Sequence, residues 1–82
     1  MINPDLPVPL WEQLVSILRA KVESGELTGR VPSIKSLSQE YGVSTRTAER
    51  ALSTLRDEGV LVALHGKGFY VRRDRPARTD PP

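Results

Sequence analysis

Residues 33–59 read SIKSLSQEYGVSTRTAERALSTLRDEG and contain two short amphipathic segments separated by a tight turn. Ser33 and Ser44 stand where the segments begin, and serine is a favoured N-cap because its side-chain oxygen accepts from free N–H groups of the first helical turn. Gly42 can end the first segment, so that only two residues lie between that segment and the second cap. Two helices joined so closely are typical of a helix-turn-helix, which we predict at about 33–57.

The second of these helices has two different sides. The apolar residues that we expect to be buried are Ala48, Ala51, Leu52 and Leu55. Arg46 and Arg50 are four residues apart and are expected to project together from the opposite side. In a helix that enters the major groove of DNA, the N-terminal residues reach the base edges. Here those residues are Ser44, Thr45, Arg46 and Thr47. A solvated helix surface carries a similar pattern, so this helix alone does not establish DNA binding.

Upstream of this motif, the chain predicts one more helix. The first nine residues contain three prolines, and we expect an extended lead-in at 1–6 without regular structure. From Pro9 onward, apolar residues recur at helical spacing until Gly25 offers a C-terminal stop. They are Leu10, Leu14, Ile17, Leu18 and Val22. Residues 26–32 contain glycine and proline, which predicts a loop.

Downstream of the helix-turn-helix, the apolar pattern changes its period. The alternating apolar residues are Val60, Val62 and Leu64, followed after a turn by Phe69 and Val71. They predict a β-hairpin at about 60–72 with the turn HGKG at 65–68. His65 and Lys67 make this turn rich in hydrogen-bond donors, and Gly66 would let the backbone approach DNA closely.

Together these elements predict a mainly α fold with a small β-hairpin, which is a winged helix-turn-helix of three helices plus a wing. A chain of 82 residues can build one small core. We therefore expect one domain at 7–73, followed by a disordered tail at 74–82 that is charged and rich in proline. The chain has no cysteine, so apolar packing must stabilise it without disulfides or thiolate metal sites.

Composition argues against several functional classes. No apolar run approaches the ~20 residues of a membrane span, and the N-terminus lacks the pattern of a signal peptide, so we expect a cytoplasmic, nucleoid-associated protein. One histidine, no cysteine and no carboxylate pair with a shared pocket argue against an enzyme. His65 has no second imidazole or thiolate near it in sequence, so we predict no metal site and no cofactor.

Positive charge is concentrated in the middle and later parts of the chain. Residues 1–27 carry two bases against four acids, whereas residues 28–73 carry eight against four. This distribution favours a polyanionic partner, although a solubilising surface can show the same bias. The cations that we expect to converge on one DNA-facing surface are Lys35, Arg46, Arg50 and Lys67.

The segments WEQLVSILRAKVESGEL and VPSIKSLSQEYGVSTRTAERALSTLRDEGVLVALHGKGFYV resemble the DNA-binding domain of the GntR family over roughly residues 7–73. The most specific pieces are VPS before the second helix, the pattern GVS-x-x-T-x-x-x-AL of the third helix, and the wing EG…HGKGFYV. The resemblance implies three helices plus a hairpin wing, binding of a dimer to a pseudo-palindromic operator, and usually repression of transcription.

The resemblance also implies individual contacts. Lys35 stands where the family commonly has an arginine that contacts DNA. Ser44 and Thr47 match polar residues of the family's recognition helix, and Gly66 matches its wing glycine.

Two positions depart from the family pattern, because the family often has arginine where this chain has Thr45 and Glu49. A carboxylate at Glu49 repels phosphates unless it accepts a hydrogen bond from cytosine or orients a neighbouring arginine. Arg46 and Arg50, each one residue later, can compensate in part for the lost charge. We therefore expect an operator that differs from that of a typical member.

Members of the family normally carry a C-terminal domain that binds an effector and forms the dimer interface, and this chain ends about where that domain begins. It is either a stand-alone regulator or a piece of a longer one, and its start and tail, which carry no tag, favour the stand-alone form. We expect double-stranded DNA as the partner, a monomer or weak dimer that pairs on DNA, and no small-molecule effector.

Alternative functions keep the fold and change its role. The chain could be an architectural, plasmid-maintenance or transfer factor that binds DNA, or a winged-helix module that binds proteins. A protein-binding module should show an exposed apolar patch and no basic face, whereas a DNA-binding regulator should show the opposite.

Overall fold

The computed structural model describes residues 2–72 of the chain. Its elements, in chain order, are α1 (Leu10–Glu23), α2 (Ile34–Tyr41), α3 (Thr45–Asp57), β1 (Leu61–Leu64) and β2 (Gly68–Val71). The two strands are antiparallel neighbours. Three helices followed by a hairpin confirm the predicted fold class. The expectation for 74–82 lies outside the described residues.

The boundaries of α2 and α3 follow from their caps. The Ser33 hydroxyl oxygen accepts from the backbone N–H of Ser36 at 3.1 Å, and that of Ser44 accepts from the N–H of Thr47 at 3.0 Å. Gly42 closes α2 in the left-handed conformation, with φ of 68°, which costs glycine little because it has no Cβ. These signals lie within a few residues of the ends that they set, so the sequence predicted both helices correctly.

One apolar core joins the three helices to the base of the hairpin. Its largest fully buried side chains are Leu14, Leu37, Leu52 and Leu55. The predicted buried side of α3 is confirmed, since all four of its apolar residues are 0% exposed. Two of them are alanines, which let neighbouring elements approach the helix closely.

Polar contacts at the surface of the core connect α1 to the other two helices. Arg19 of α1 donates to both carboxylate oxygens of Glu58, just after α3, at 2.6 and 2.8 Å. Lys21 of α1 donates to the hydroxyl of Tyr41, at the end of α2, at 3.0 Å. This hydrogen bond is the largest cause that raises the pKa of Lys21 above its ordinary value.

The wing sheet extends beyond the hairpin. The N–H of Val31 donates to the carbonyl of Phe69 at 2.9 Å, and the N–H of Val71 donates to the carbonyl of Gly29 at 2.7 Å. Arg30 thereby pairs with Tyr70 in an antiparallel bridge. The predicted loop at 26–32 is confirmed, since no helix or strand lies there, but the loop also pairs with β2 through this one bridge.

The face of β1 that packs on the core is not the one predicted from the alternation of Val60, Val62 and Leu64. Leu61 is buried at 3% exposure, whereas Val62 and Leu64 are 37% and 43% exposed. Cross-strand partners share a face, so Leu61 with Val71 forms part of the inner face, and Val62 with Tyr70 lies on the outer face. Both faces of β1 carry apolar residues, and the alternation therefore could not fix which face packs on the core.

The lead-in folds back onto α1 instead of extending from it. The buried side-chain amide of Gln13 donates from Nε2 to the carbonyls of Asn3 and Val8, both at 2.9 Å. Its Oε1 accepts from the N–H of Asn3 at 2.7 Å. The Gln13 side chain thus supplies hydrogen-bond partners to backbone groups of the lead-in, where the prolines prevent a regular helix or strand. None of the helices in the described part of the chain has the length and apolar character to cross a membrane.

Candidate nucleic-acid interface

The first turn of α3 presents two side chains to solvent. Thr45 and Arg46 are both exposed. Ser44 is exposed too, but its hydroxyl is already used as a cap and also donates to Oγ1 of the half-buried Thr47 at 3.1 Å. Thr45 and Arg46 are therefore the freest groups at the start of this helix.

Several predicted cations are free of intramolecular partners. Within residues 2–72, the side chains of Lys35, Arg46 and Lys67 make no hydrogen bond or ion pair. All three are exposed. Lys35 is the second residue of α2, Arg46 the second of α3, and Lys67 lies in the hairpin turn. Their convergence with Arg50 on one surface stays a prediction.

Arg50 has a partner on another helix. Its guanidinium lies over the ring of Trp11 in α1, with Cζ 4.2 Å from the ring centroid. This contact lies well within the ~6 Å that defines a cation–π interaction. Sequence reasoning assigned no role to Trp11, and the periodicity of α3 could not reveal a partner on another helix.

Glu49 does not orient an arginine. Its carboxylate is exposed and forms no ion pair among the residues that the structure describes. The neighbouring Arg50 is directed to Trp11 instead. A contact between Glu49 and DNA stays a prediction.

The tip of the wing is an exposed tight turn. The N–H of Lys67 donates to the carbonyl of Leu64 at 2.9 Å, which closes the turn. Gly66 has φ of 75°, a conformation that a residue with a Cβ rarely adopts. His65, Gly66 and Lys67 are all exposed, as a surface that approaches a nucleic acid requires.

Arg30 adds a cation that the sequence did not single out. It is exposed and lies in the strand-like segment beside β2, opposite Tyr70. Bridge partners share a face, so Arg30 belongs to the outer face of the wing sheet. The sequence pattern could not locate Arg30, because its bridge to Tyr70 joins backbone groups that are distant in the chain.

The family model for bacterial regulatory proteins of the gntR family matches residues 10–71, which run from the start of α1 to the end of β2. The chain belongs to the GntR family. It is 33% identical over 76 residues to the HTH-type transcriptional repressor NagR of Bacillus subtilis (strain 168), a match that covers 90% of this chain and 31% of NagR. The chain thus spans less than a third of that relative's length.

Two solved structures have the same fold as this chain. YtrA from Sulfolobus acidocaldarius, described as a GntR-family transcription factor, superimposes with a TM-score of 0.80 at 27% identity, covering 88% of this chain and 78% of YtrA. The DNA-binding domain of AraR, crystallised with operator ORX1, gives a TM-score of 0.78 at 23% identity and covers 88% of this chain and 93% of that one. The AraR similarity shows the fold alone.

Proposed function

We propose that this chain is the sequence-specific DNA-binding domain of a transcriptional regulator and that it represses transcription. One observation on α3 carries the proposal. In its first turn, Arg46 is exposed and its side chain has no partner within residues 2–72, whereas the apolar side of the same helix is fully buried. A helix of this kind fits the major groove, which is about 12 Å wide. The name of NagR as a repressor agrees with this function.

The roles of individual residues follow from their positions. Arg46 would read a base, since arginine can pair with both acceptors on the major-groove edge of guanine. Lys35, in the first turn of α2, would neutralise a phosphate. In the wing, His65 and Lys67 would contact the minor groove or the flanking phosphates, and Gly66 would allow the backbone to come close.

Glu49 would restrict the choice of operator. An unpaired carboxylate near the DNA backbone is repelled by phosphates, but it can accept a hydrogen bond from the amino group of cytosine. We therefore propose that the operator presents a cytosine to Glu49. Regulators with arginine at this position would prefer a different base there.

Two copies would bind the two halves of a pseudo-palindrome whose centres lie about one helical turn apart. We propose that this chain itself has neither catalytic activity nor a site for a small-molecule effector. Binding to chromosomal DNA would place the protein in the cytoplasm, at the nucleoid.

Selection of bound sequences from a random duplex library tests the function directly. The selected duplex and its scrambled version are then compared in a series of salt concentrations. We expect an inverted repeat and a specificity ratio of at least ~10³. Weak binding without a recovered motif would contradict a sequence-specific regulator and favour an architectural factor.

A second candidate, a protein-interaction module, is favoured by one observation. Val62 and Leu64 are exposed on the outer face of the wing. If this face binds a protein, changing both residues to serine should abolish that complex and leave DNA affinity unchanged. The unpartnered cations on α2, α3 and the wing favour DNA, because a protein-binding module has no need of them.

A further inference from the structure

The contact between Trp11 and Arg50 connects α1 to the exposed side of α3. A second contact between the same regions joins Arg19 to Glu58. In both pairs the partners are 39 positions apart, so α1 and α3 run in the same direction along this edge. The pair of Trp11 and Arg50 lies at the start of α1 and near the middle of α3, one helical turn after Arg46. The ion pair lies about 12 Å further along, since eight residues of helix rise by that amount.

The contact with Trp11 leaves the hydrogen-bonding groups of Arg50 available. A guanidinium that lies over an indole ring uses its flat face, whereas its five N–H donors point outward in its plane. Arg50 makes no ion pair and no side-chain hydrogen bond in the described residues, and it is exposed. The contact therefore orders a long side chain without consuming its donors.

Ordering of this kind favours binding. A free arginine loses rotamer freedom when it contacts DNA, and part of this loss is already incurred in the free protein when the side chain is held in advance. The direction also matters, because Arg50 is turned toward α1 and away from the middle of the exposed side of α3. In a helix that lies in the major groove, groups at its flank face the sugar-phosphate backbone.

We propose that Trp11 is a positioning residue of the DNA interface, which holds Arg50 so that its guanidinium contacts a phosphate at the edge of the major groove. Arg50 thereby adds affinity for any sequence, whereas Arg46 reads a base. This inference rests on the proposed function, since it assumes that α3 binds DNA.

The test compares Arg50→Ala, Trp11→Leu, Trp11→Phe and the double variant Trp11→Leu/Arg50→Ala. A fixed DNA duplex of arbitrary sequence serves as the probe, because a phosphate contact does not depend on sequence. Arg19→Ala is the matched control, since it removes the other contact between α1 and the end of α3. Binding is measured over a series of salt concentrations, and thermal unfolding is measured in parallel.

We expect Arg50→Ala to weaken binding about 10-fold at low salt and to reduce the slope of log affinity against log salt by about 0.9. Trp11→Leu should weaken binding about 3-fold and have no further effect in the Arg50→Ala background, which is the signature of coupled residues. Trp11→Phe should retain most of the affinity, because phenylalanine also offers a ring face. Arg19→Ala should lower the unfolding temperature but leave DNA affinity and the salt slope unchanged.

Tryptophan fluorescence supplies a second readout on the unmodified protein. Trp11 is the single tryptophan of the chain, so selective excitation reports on this ring alone. We expect DNA to change its emission in the wild type and not in Arg50→Ala. This measurement keeps the proposal testable if Trp11→Leu fails to fold.

Three results would overturn the inference. They are unchanged affinity and salt slope in a folded Trp11→Leu protein, an equal loss of DNA affinity in Arg19→Ala, and wild-type emission that does not respond to bound DNA. If Arg46→Ala and Lys67→Ala also leave binding unchanged, the proposed function itself has failed. If those two weaken binding and Arg50→Ala does not, only the role of Trp11 and Arg50 is lost.

Discussion

Replacement of Arg46 by alanine separates base reading from simple attraction to DNA. The side chain is exposed and makes no hydrogen bond or ion pair within residues 2–72, so its removal breaks no contact of the folded domain. We expect the free energy of unfolding to change by no more than about 0.5 kcal/mol, as for other surface substitutions. Alanine is also a better helix former than arginine, so α3 should persist.

The loss in binding should be large and selective for sequence. A bidentate contact to a base contributes about 1–3 kcal/mol of discrimination, which corresponds to a loss of about 5- to 150-fold on the selected operator. On the scrambled duplex the loss should be limited to that of one cation. Fluorescence anisotropy with both duplexes, over a series of salt concentrations, measures the two losses separately.

Two comparisons make the result decisive. Lys67→Ala removes a cation from the wing tip and should weaken binding to both duplexes by the same factor while reducing the salt dependence. Arg56→Ala removes an arginine from the last turn of α3 that is paired with Asp57, and it should have little effect on either duplex. Equal losses from Arg46→Ala on the operator and on the scrambled duplex would refute base reading and leave Arg46 as a residue that only positions the domain.

Three further predictions concern the elements that support the interface. Ser44→Ala removes the cap of α3 and should lower the free energy of unfolding by about 1 kcal/mol, with Ser33→Ala as the equivalent change in α2, as measured by urea denaturation. Gly42→Ala meets no atom within 4 Å but places a Cβ at φ of 68°, so calorimetry should show a destabilisation of about 1–2 kcal/mol that comes from backbone strain. The raised pKa of Lys21 implies stabilisation that is complete below its ordinary pKa of 10.5 and is lost as the pH rises through the raised value. Tyr41→Phe, followed by unfolding at alkaline pH, should weaken that pH dependence, and an unaltered profile would contradict the assignment to this hydrogen bond.

The parts of the fold that were predicted correctly are those set by neighbouring residues. Ser33, Gly42 and Ser44 determine the limits of α2 and α3 through contacts within a few positions of themselves. The buried side of α3 follows from the helical period, because only one of its sides is apolar. The order of elements follows from these local signals, since they leave little room for another topology in so short a chain.

The parts that were missed depend on contacts between distant residues. The pairing of Arg30 with Tyr70 is made by backbone groups, which carry no residue-specific signal. The helical pattern of α1 gives no reason for a buried polar residue at Gln13. The reason is the folded lead-in, whose carbonyl groups accept hydrogen bonds from its side chain. Spacing predicted that Arg46 lies in the first turn of α3 and that residues 65–68 form a turn, but it could not place the guanidinium of Arg50 on a ring that lies 39 residues earlier in the chain.

The small number of exposed cations bears on how such a domain could find an operator. Each neutralised phosphate contributes about 0.9 to the salt slope, and non-specific affinities of DNA-binding proteins are typically about 10⁻⁴–10⁻⁶ M at physiological salt. With Lys35, Arg50 and Lys67 as its main phosphate contacts, one domain would stay near the weak end of that range. A second domain on an adjacent half-site would double the contacts, and any linkage between the two domains would make the second binding event intramolecular. We therefore propose that two domains pair on an inverted repeat, because the base contacts of one Arg46 are too few to supply a specificity ratio of ~10³.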